Sequence, residues 1–171
     1  MSTIEKASVY HQVLLSDIGR QTFIESHGSS ADKIVINEYV EKKFSKTTIE
    51  AELEDENNLF HIIYVDKEPA GYSKIILNSP HPEINKTSIT KLERFYLLER
   101  FYGRYAGAEL MKFNINLSIQ NNQSGMWLYV WTENKRAVKF YTRHEFKIIG
   151  HFDFKLTDNH SNPNHLMYLE Y

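Results

Sequence analysis

The stretch from Leu92 to Ile119 holds the residues whose types and spacing best suit chemistry. Leu92-Glu93-Arg94-Phe95-Tyr96-Leu97-Leu98 reads as a strand, Tyr102-Gly103-Arg104-Tyr105-Ala106-Gly107 as a tight loop, and Ala108 to about Ile119 as a helix. A strand that breaks into a glycine-bearing turn and then a helix aims several backbone N–H groups, with the positive end of the helix dipole, at one point. That is an anion site, most naturally for phosphate. Period-two alternation along the strand puts Glu93, Phe95 and Leu97 on one face and Arg94, Tyr96 and Leu98 on the other.

Other chemistries find little support. There is no cysteine, which excludes disulfides, thiolate metal sites and a cysteine nucleophile. The eight histidines show neither H-E-x-x-H nor two-ligand helical spacing, so no metal is expected. No G-x-S-x-G or P-loop is present, which leaves hydrolase and nucleotide triphosphatase readings unsupported. A formal charge of −2 argues against a nucleic-acid partner. The negative charge is concentrated early: residues 1–60 carry about 11 acidic against about 6 basic groups. No apolar run long enough to span a membrane occurs, and the first residues lack a signal-like apolar core, so a soluble cytoplasmic protein is expected. At 42% hydrophobic and 13% aromatic, 171 residues suit one domain, 1–171, with its own core.

The elements that must position the loop follow in order. Residues 3–8 suit a short strand, and Val9 to about Ser26 a helix interrupted near Gly19. Ser30 can cap a second helix through Ile34, Ile36, Tyr39, Val40 and Phe44. The acidic segment Thr47 to Asn58 reads as a short surface helix. Leu59–Val65 and Ala70–Leu77 flank Asp66-Lys67-Glu68-Pro69 as a hairpin. A loop with Pro80 and Pro82 leads into the strand at Leu92. Beyond the central helix, Met126–Trp131 reads as a strand buried on both faces, and Thr132-Glu133-Asn134 caps a helix from Lys135 to about His144. Phe146–Phe152 and His165–Tyr171 close the chain as strands, joined by a polar loop from Leu156 to Asn164. The order β-α-α-β-β-β-α-β-α-β-β implies a mixed α/β fold, with a largely antiparallel twisted sheet of about seven strands flanked by about four helices on its two faces.

With these residues in this order, the chain resembles the GCN5-related N-acetyltransferases. The family's loop Q/R-x-x-G-x-G/A aligns with Tyr102–Gly107, and its N-x-x-A-x-x-F-Y motif is present as Asn134, Ala137, Phe140 and Tyr141. Within the family it looks most like the polyamine N-acetyltransferases of the PaiA type, through Thr22-Phe23-Ile24-Glu25, Leu92-Glu93-Arg94-Phe95-Tyr96-Leu97 and Trp127–Asn134. Tyr102 stands where the family has Gln or Arg, and Tyr105 where it has glycine, so Tyr105 must hold an ordinary helix-start conformation or crowd the ligand. Gly103 and Arg104 can compensate, Arg104 by bringing charge to phosphate.

The resemblance implies acetyl-CoA as co-substrate and no metal. The N–H groups from Tyr102 through Gly103, Arg104, Tyr105, Ala106 and Gly107 to Ala108 would cradle its pyrophosphate, the strand edge Phe95-Tyr96-Leu97 its pantetheine arm, and Asn134 and Phe140 would complete that side. Tyr141 matches the general acid toward sulfur, or else packs on the sheet. Glu93 is the best candidate to accept the ammonium proton, the alternative being a structural pair with Arg. Glu25, Tyr39 and Trp131 would face the acceptor, with Phe152 another aromatic candidate. The acceptor is expected to be a small polyamine-like amine; the alternatives are a protein or peptide amine, or a non-catalytic binding module. Members of the family often pair through terminal strands, and the aromatic end Met167 to Tyr171 suits a homodimer.

Overall fold

The computed structural model describes all 171 residues. In chain order they form β1 (Ser2–Lys6), α1 (Gln12–His27), α2 (Lys33–Lys43), α3 (Lys46–Glu54), β2 (Asn58–Val65), β3 (Glu68–Ile76), β4 (Thr90–Leu97), α4 (Ala106–Gln120), β5 (Gly125–Trp131), α5 (Lys135–Arg143), β6 (Lys147–Thr157) and β7 (His160–Glu170), with 3-10 turns at Val9–His11 and Glu99–Phe101. The seven strands make one sheet in the order β1-β2-β3-β4-β5-β7-β6. Every neighbouring pair is antiparallel except β4 and β5. This is the mixed α/β sheet expected from the element order, and the acidic segment expected as a surface helix is α3.

Helices cover both faces, and two neighbouring residues of β3 show how. Ser73 Oγ donates to Asn114 Oδ1 of α4 at 3.1 Å, while Lys74 Nζ reaches Glu52 of α3 at 3.3 Å. Successive strand side chains point to opposite faces, so α4 lies on one face and α3, with α1 and α2, on the other. Leu15, Ile18 and Phe23 of α1, Ile36 and Val40 of α2, and Phe60, Ile62 and Tyr72 of the sheet form the larger core. Each such aliphatic or phenylalanine side chain contributes roughly 1.5–3 kcal/mol by leaving water. Met111, Met126, Leu128, Tyr141, Phe146 and Met167 form a second core where α4 and α5 meet β5 and β7.

Several expectations need correction. Helix α1 runs unbroken through Gly19, because that glycine serves packing: a Cβ there would lie 2.5 Å from Phe44 Cδ1. The polar loop expected from Leu156 to Asn164 is a hairpin instead, with β6 and β7 paired as far as Thr157 and His160. Asn162, Asn164 and Leu166 alternate as the buried positions of β7, so strand periodicity is present but carried by polar residues. The terminal strand β7 lies between β5 and β6, so Met167–Tyr171 offers no free edge. The free edge on that side is β6, where Ile148, Ile149 and Phe152 are exposed.

Candidate active site

The sheet opens where its one parallel pair fails. Strands β4 and β5 pair only at Thr90↔Met126 and Lys91↔Trp127. Beyond Lys91, β4 pairs with β3 alone, which leaves the other edge of Leu92–Leu97 without a strand partner. The gap is a cleft of about 720 Å³, walled by β4, by Tyr129–Trp131 of β5, by the loop before α4 and by α5.

The loop end of this cleft is made mainly of backbone. Helix α4 starts at Ala106, and its first internal bond on this side is from Glu109 N–H to the Tyr105 carbonyl. The N–H groups of Tyr105, Ala106, Gly107 and Ala108 therefore have no acceptor in the chain. With the dipole of a 15-residue helix behind them they form an anion cradle. Gly103 has φ 76° with open space where a Cβ would be, and a Cβ at Gly107 would press on Leu97 Cδ1 at 3.2 Å and Phe140 Cε2 at 3.3 Å. Tyr105 lines the cleft but does not hold the ordinary helix-start conformation expected of it. It adopts the left-handed conformation a glycine would supply, φ 61° and ψ −13°, and its side chain is 81% exposed. The strain costs on the order of 1–2 kcal/mol and preserves the loop's path.

Charge comes to this loop from an unexpected direction. Arg104 lies over the Phe101 ring at 5.6 Å and does not line the cleft. Arg136 of α5 instead stacks on Tyr102, its guanidinium carbon 3.5 Å from the ring centroid. Arg136, Lys139 and Arg143 all line the cleft, and none has an ion-pair partner. Their i, i+3, i+7 spacing was visible in the sequence as one basic helical face, but its direction depends on how α5 packs.

Between the two ends, Asn134 Oδ1 caps α5 by accepting the Ala137 N–H at 3.1 Å. Phe140 stacks on Phe95 at 5.5 Å, and Tyr141 meets Phe95 and Phe146 edge-on at 6.3 and 5.8 Å. Tyr141 is 8% exposed and lines the cleft; no group of the chain hydrogen-bonds its hydroxyl. Burial raises the phenol well above its usual range, so it stays protonated at physiological pH and is fit to donate.

The opposite end gathers side chains from distant parts of the chain. The β3–β4 register slips between Lys74↔Arg94 and Ile75↔Leu92, making Glu93 the extra residue of a bulge. The expected alternation breaks there. Glu93 shares the α3 face with Arg94, while Phe95 faces α5. Arg94 makes a bidentate pair with Glu52 at 2.7 and 2.9 Å, and Lys74 bridges Glu52 and Glu93 at 3.3 and 3.0 Å. Burial works to raise the Glu93 pKa, but Lys74 and Lys91 outweigh it and hold the carboxyl below its usual range. Glu25 lies outside the cleft, accepting the Glu99 N–H at 2.9 Å. Tyr39 and Trp131 do line it, as do His27, Phe154, Asn162 and Asn164. Phe152 does not; it stacks on Tyr129 at 4.3 Å.

Comparison with known proteins gives this cleft a setting. A family model described as the acetyltransferase (GNAT) family matches residues 23–146. An uncharacterized N-acetyltransferase from the pepI 3' region of Lactobacillus delbrueckii subsp. lactis is 27% identical over 142 residues, covering 83% of this chain and 82% of that protein. The spermine/spermidine N(1)-acetyltransferase of Bacillus subtilis is 27% identical over 93 residues, 54% of this chain and 61% of that one. Among solved structures, the PaiA N-acetyltransferase of Thermoplasma acidophilum in complex with coenzyme A superposes with a TM-score of 0.79 at 19% identity, covering 100% of this chain and 99% of that chain.

Proposed function

The chain belongs to the acetyltransferase (GNAT) family and is an acetyl-CoA-dependent N-acetyltransferase, and we propose that its acceptor is a small, polyamine-like primary amine. The observation that carries the acceptor class is the exposure of the charged network. The side chains of Glu52 and Glu93 are 20% and 27% exposed, while Lys74 and Arg94 behind them are 4% and 8% exposed. Of these four side chains the carboxylates are the more exposed, and both line the cleft. With Tyr39, Tyr96 and Trp131 beside them they suit a cation. The partial likeness to the Bacillus subtilis spermine/spermidine enzyme supports the same reading.

The cleft fits acetyl-CoA. When bound, acetyl-CoA supplies an activated acetyl carbonyl and a thiolate leaving group. The free N–H groups from Tyr105 to Ala108 would hold its pyrophosphate, with Gly103 leaving room for close approach and Arg136, braced on Tyr102, adding positive charge. The unpaired edge of β4 at Phe95–Leu97 would receive the pantetheine amides as an added strand does, with Asn134 and Phe140 opposite. Tyr141 would give its proton to the departing sulfur. Glu93, kept ionised, would attract the ammonium. Calorimetric titration with acetyl-CoA, followed by turnover of spermidine against a panel of peptide amines, tests both levels. Binding without polyamine turnover, but with a peptide acetylated, would move the acceptor to protein amines; no binding at millimolar acetyl-CoA would remove the enzyme reading.

A further inference from the structure

The acceptor side of the cleft holds one half-buried titratable group with no role so far. His27 is the last residue of α1. Its ring stacks on Phe23 at 4.6 Å and on Trp131 at 5.8 Å, with the Tyr96 ring edge-on at 6.4 Å. These contacts hold the ring's plane. A hydrogen-bond chain holds its tautomer as well. Ser26 Oγ lies 2.8 Å from the Thr22 carbonyl oxygen and 2.7 Å from His27 Nδ1. A carbonyl can only accept, so the 2.8 Å contact is met when the single hydroxyl proton of Ser26 goes to Thr22, and the hydroxyl oxygen then accepts from His27. In that arrangement the imidazole is Nδ1–H, and Nε2 carries the free lone pair. No group of the chain hydrogen-bonds Nε2, which is not among the fully buried unpartnered atoms, and the ring lines the cleft.

The surroundings keep this lone pair available. Burial lowers the His27 pKa to about 4, and no neighbouring charge contributes. Facing it are Phe23 and Ser26 from α1, the protonated Tyr96 phenol from β4 and the uncharged Trp131 from β5. Glu25 is turned to the Glu99 N–H. Glu93 differs on each point, being ionised and paired with both Lys74 and Lys91. His27 also stands on the α1 face, across the strand gap from Tyr141 on the α5 face, so an acceptor and a thioester would approach from opposite sides.

We propose that His27 Nε2 accepts an N–H of the acceptor ammonium and takes the proton whose loss frees the nitrogen lone pair for attack. The acceptor ammonium gives one proton to Nε2, which frees the nitrogen lone pair; that lone pair forms the new N–C bond, the thioester C–S bond breaks with its electron pair on sulfur, the sulfur takes the Tyr141 proton, and the second proton that the nitrogen sheds goes to water. Solvent then returns a proton to Tyr141 and removes one from His27. This rests on the acetyl-transfer reading above.

The experiment compares wild type with His27→Phe, which keeps the aromatic stack, His27→Gln, which keeps a polar group, and Glu93→Gln. Calorimetric affinity for acetyl-CoA controls for folding and is expected to stay within about twofold of wild type. Wild-type kcat/KM for spermidine is expected to be nearly level between about pH 6 and 8, because the ammonium form is productive when a base accompanies it. His27→Phe is expected to lose about 10²-fold at pH 7 and to rise roughly tenfold per pH unit, since only pre-formed free amine then reacts. His27→Gln should follow His27→Phe in its profile. In parallel, 15N NMR should give Nδ1 a pyrrole-like and Nε2 a pyridine-like shift. An unchanged profile in His27→Phe, the same change produced by Glu93→Gln alone, or the Nε2–H tautomer would each overturn the proposal. A wild type that binds no acetyl-CoA would remove the parent reading and this one together, whereas an active, binding His27→Phe removes this one alone.

Discussion

The two ends of the cleft are built from different materials. At the loop end the working groups are backbone N–H donors and an unpaired strand edge, so side-chain identity counts for little as long as the chain keeps its path. Tyr105 shows this: a tyrosine sits at a glycine position at the rim of the cleft, adopts the glycine conformation at φ 61°, and is 81% exposed. At the acceptor end the groups are side chains from α1, α2, α3, β4, β5, β6 and β7, fixed by stacking and ion pairs. A backbone site tolerates substitution and serves a ligand common to many proteins, while a side-chain site is where a particular acceptor is chosen.

The sharpest test of that contrast lies where the two ends meet. Tyr141→Phe removes one oxygen and keeps the ring against Phe95 and Phe146. Turnover is expected to fall about 10²–10³-fold with acetyl-CoA affinity within about twofold, measured by steady-state kinetics beside calorimetry. An unchanged rate would return Tyr141 to the core as a packing residue. Next in size is Lys74→Met, in the side-chain end. Lys74 bridges two carboxylates with its own side chain 4% exposed, and losing a buried partner costs about 3 kcal/mol. Chemical denaturation should show that loss at neutral pH. Glu93 has its pKa depressed in the folded state, so its share of the stability is present above the usual 4.5 and fades as pH falls through the folded value. The mutant's deficit should therefore shrink in acid. A deficit independent of pH would mean that lost packing, not charge, dominates.

The same contrast explains what was legible in the sequence. The loop end is nearly contiguous, from Phe95 to Ala108 with Asn134 and Phe140 added, and its glycines and helix start can be seen without knowing any contact. The strands and most helices were legible for a similar reason, since they follow local periodicity. The acceptor end was not. His27 fell just beyond the helix expected to end at about Ser26, and Glu52 lay in a segment read as an acidic surface helix. Asn162 and Asn164 read as a loop because polar residues occupy the inward positions of β7, where the neighbour is a cleft and not a core. Glu93 was placed on the wrong face because a bulge is a property of two paired strands and leaves little trace in one of them. Arg136 rather than Arg104 lines the cleft, and that could not be seen because the direction of α5 is set by tertiary packing.

Arg136→Ala probes how far the loop end depends on side chains after all. Arg136 is exposed and stacks on a partly buried Tyr102. A cation–π contact of this kind is worth about 0.5–1 kcal/mol, and an exposed phosphate contact adds a similar amount. Coenzyme A affinity is expected to weaken about fivefold, with a shallower dependence on salt because one ionic contact is gone. A hundredfold loss would make the loop end as dependent on side chains as the acceptor end.

Tyr105→Gly should have the smallest effect and bears most directly on the comparison. Relieving a left-handed tyrosine gains on the order of 1–2 kcal/mol, while the added freedom of glycine in the unfolded chain returns about 0.5–1 kcal/mol. The net is a stabilisation of about 0.5 kcal/mol, a rise of one or two degrees in Tm for a domain of this size. Tyr105→Val should go the other way by about 1 kcal/mol, because a β-branched side chain is worse at positive φ. Since Tyr105 is largely exposed and the cradle is backbone, coenzyme A affinity should be the same in Tyr105→Gly within about twofold. If glycine instead tightened binding tenfold, the ring would be crowding the ligand, and the loop end would be choosing its ligand by side chain as the acceptor end does.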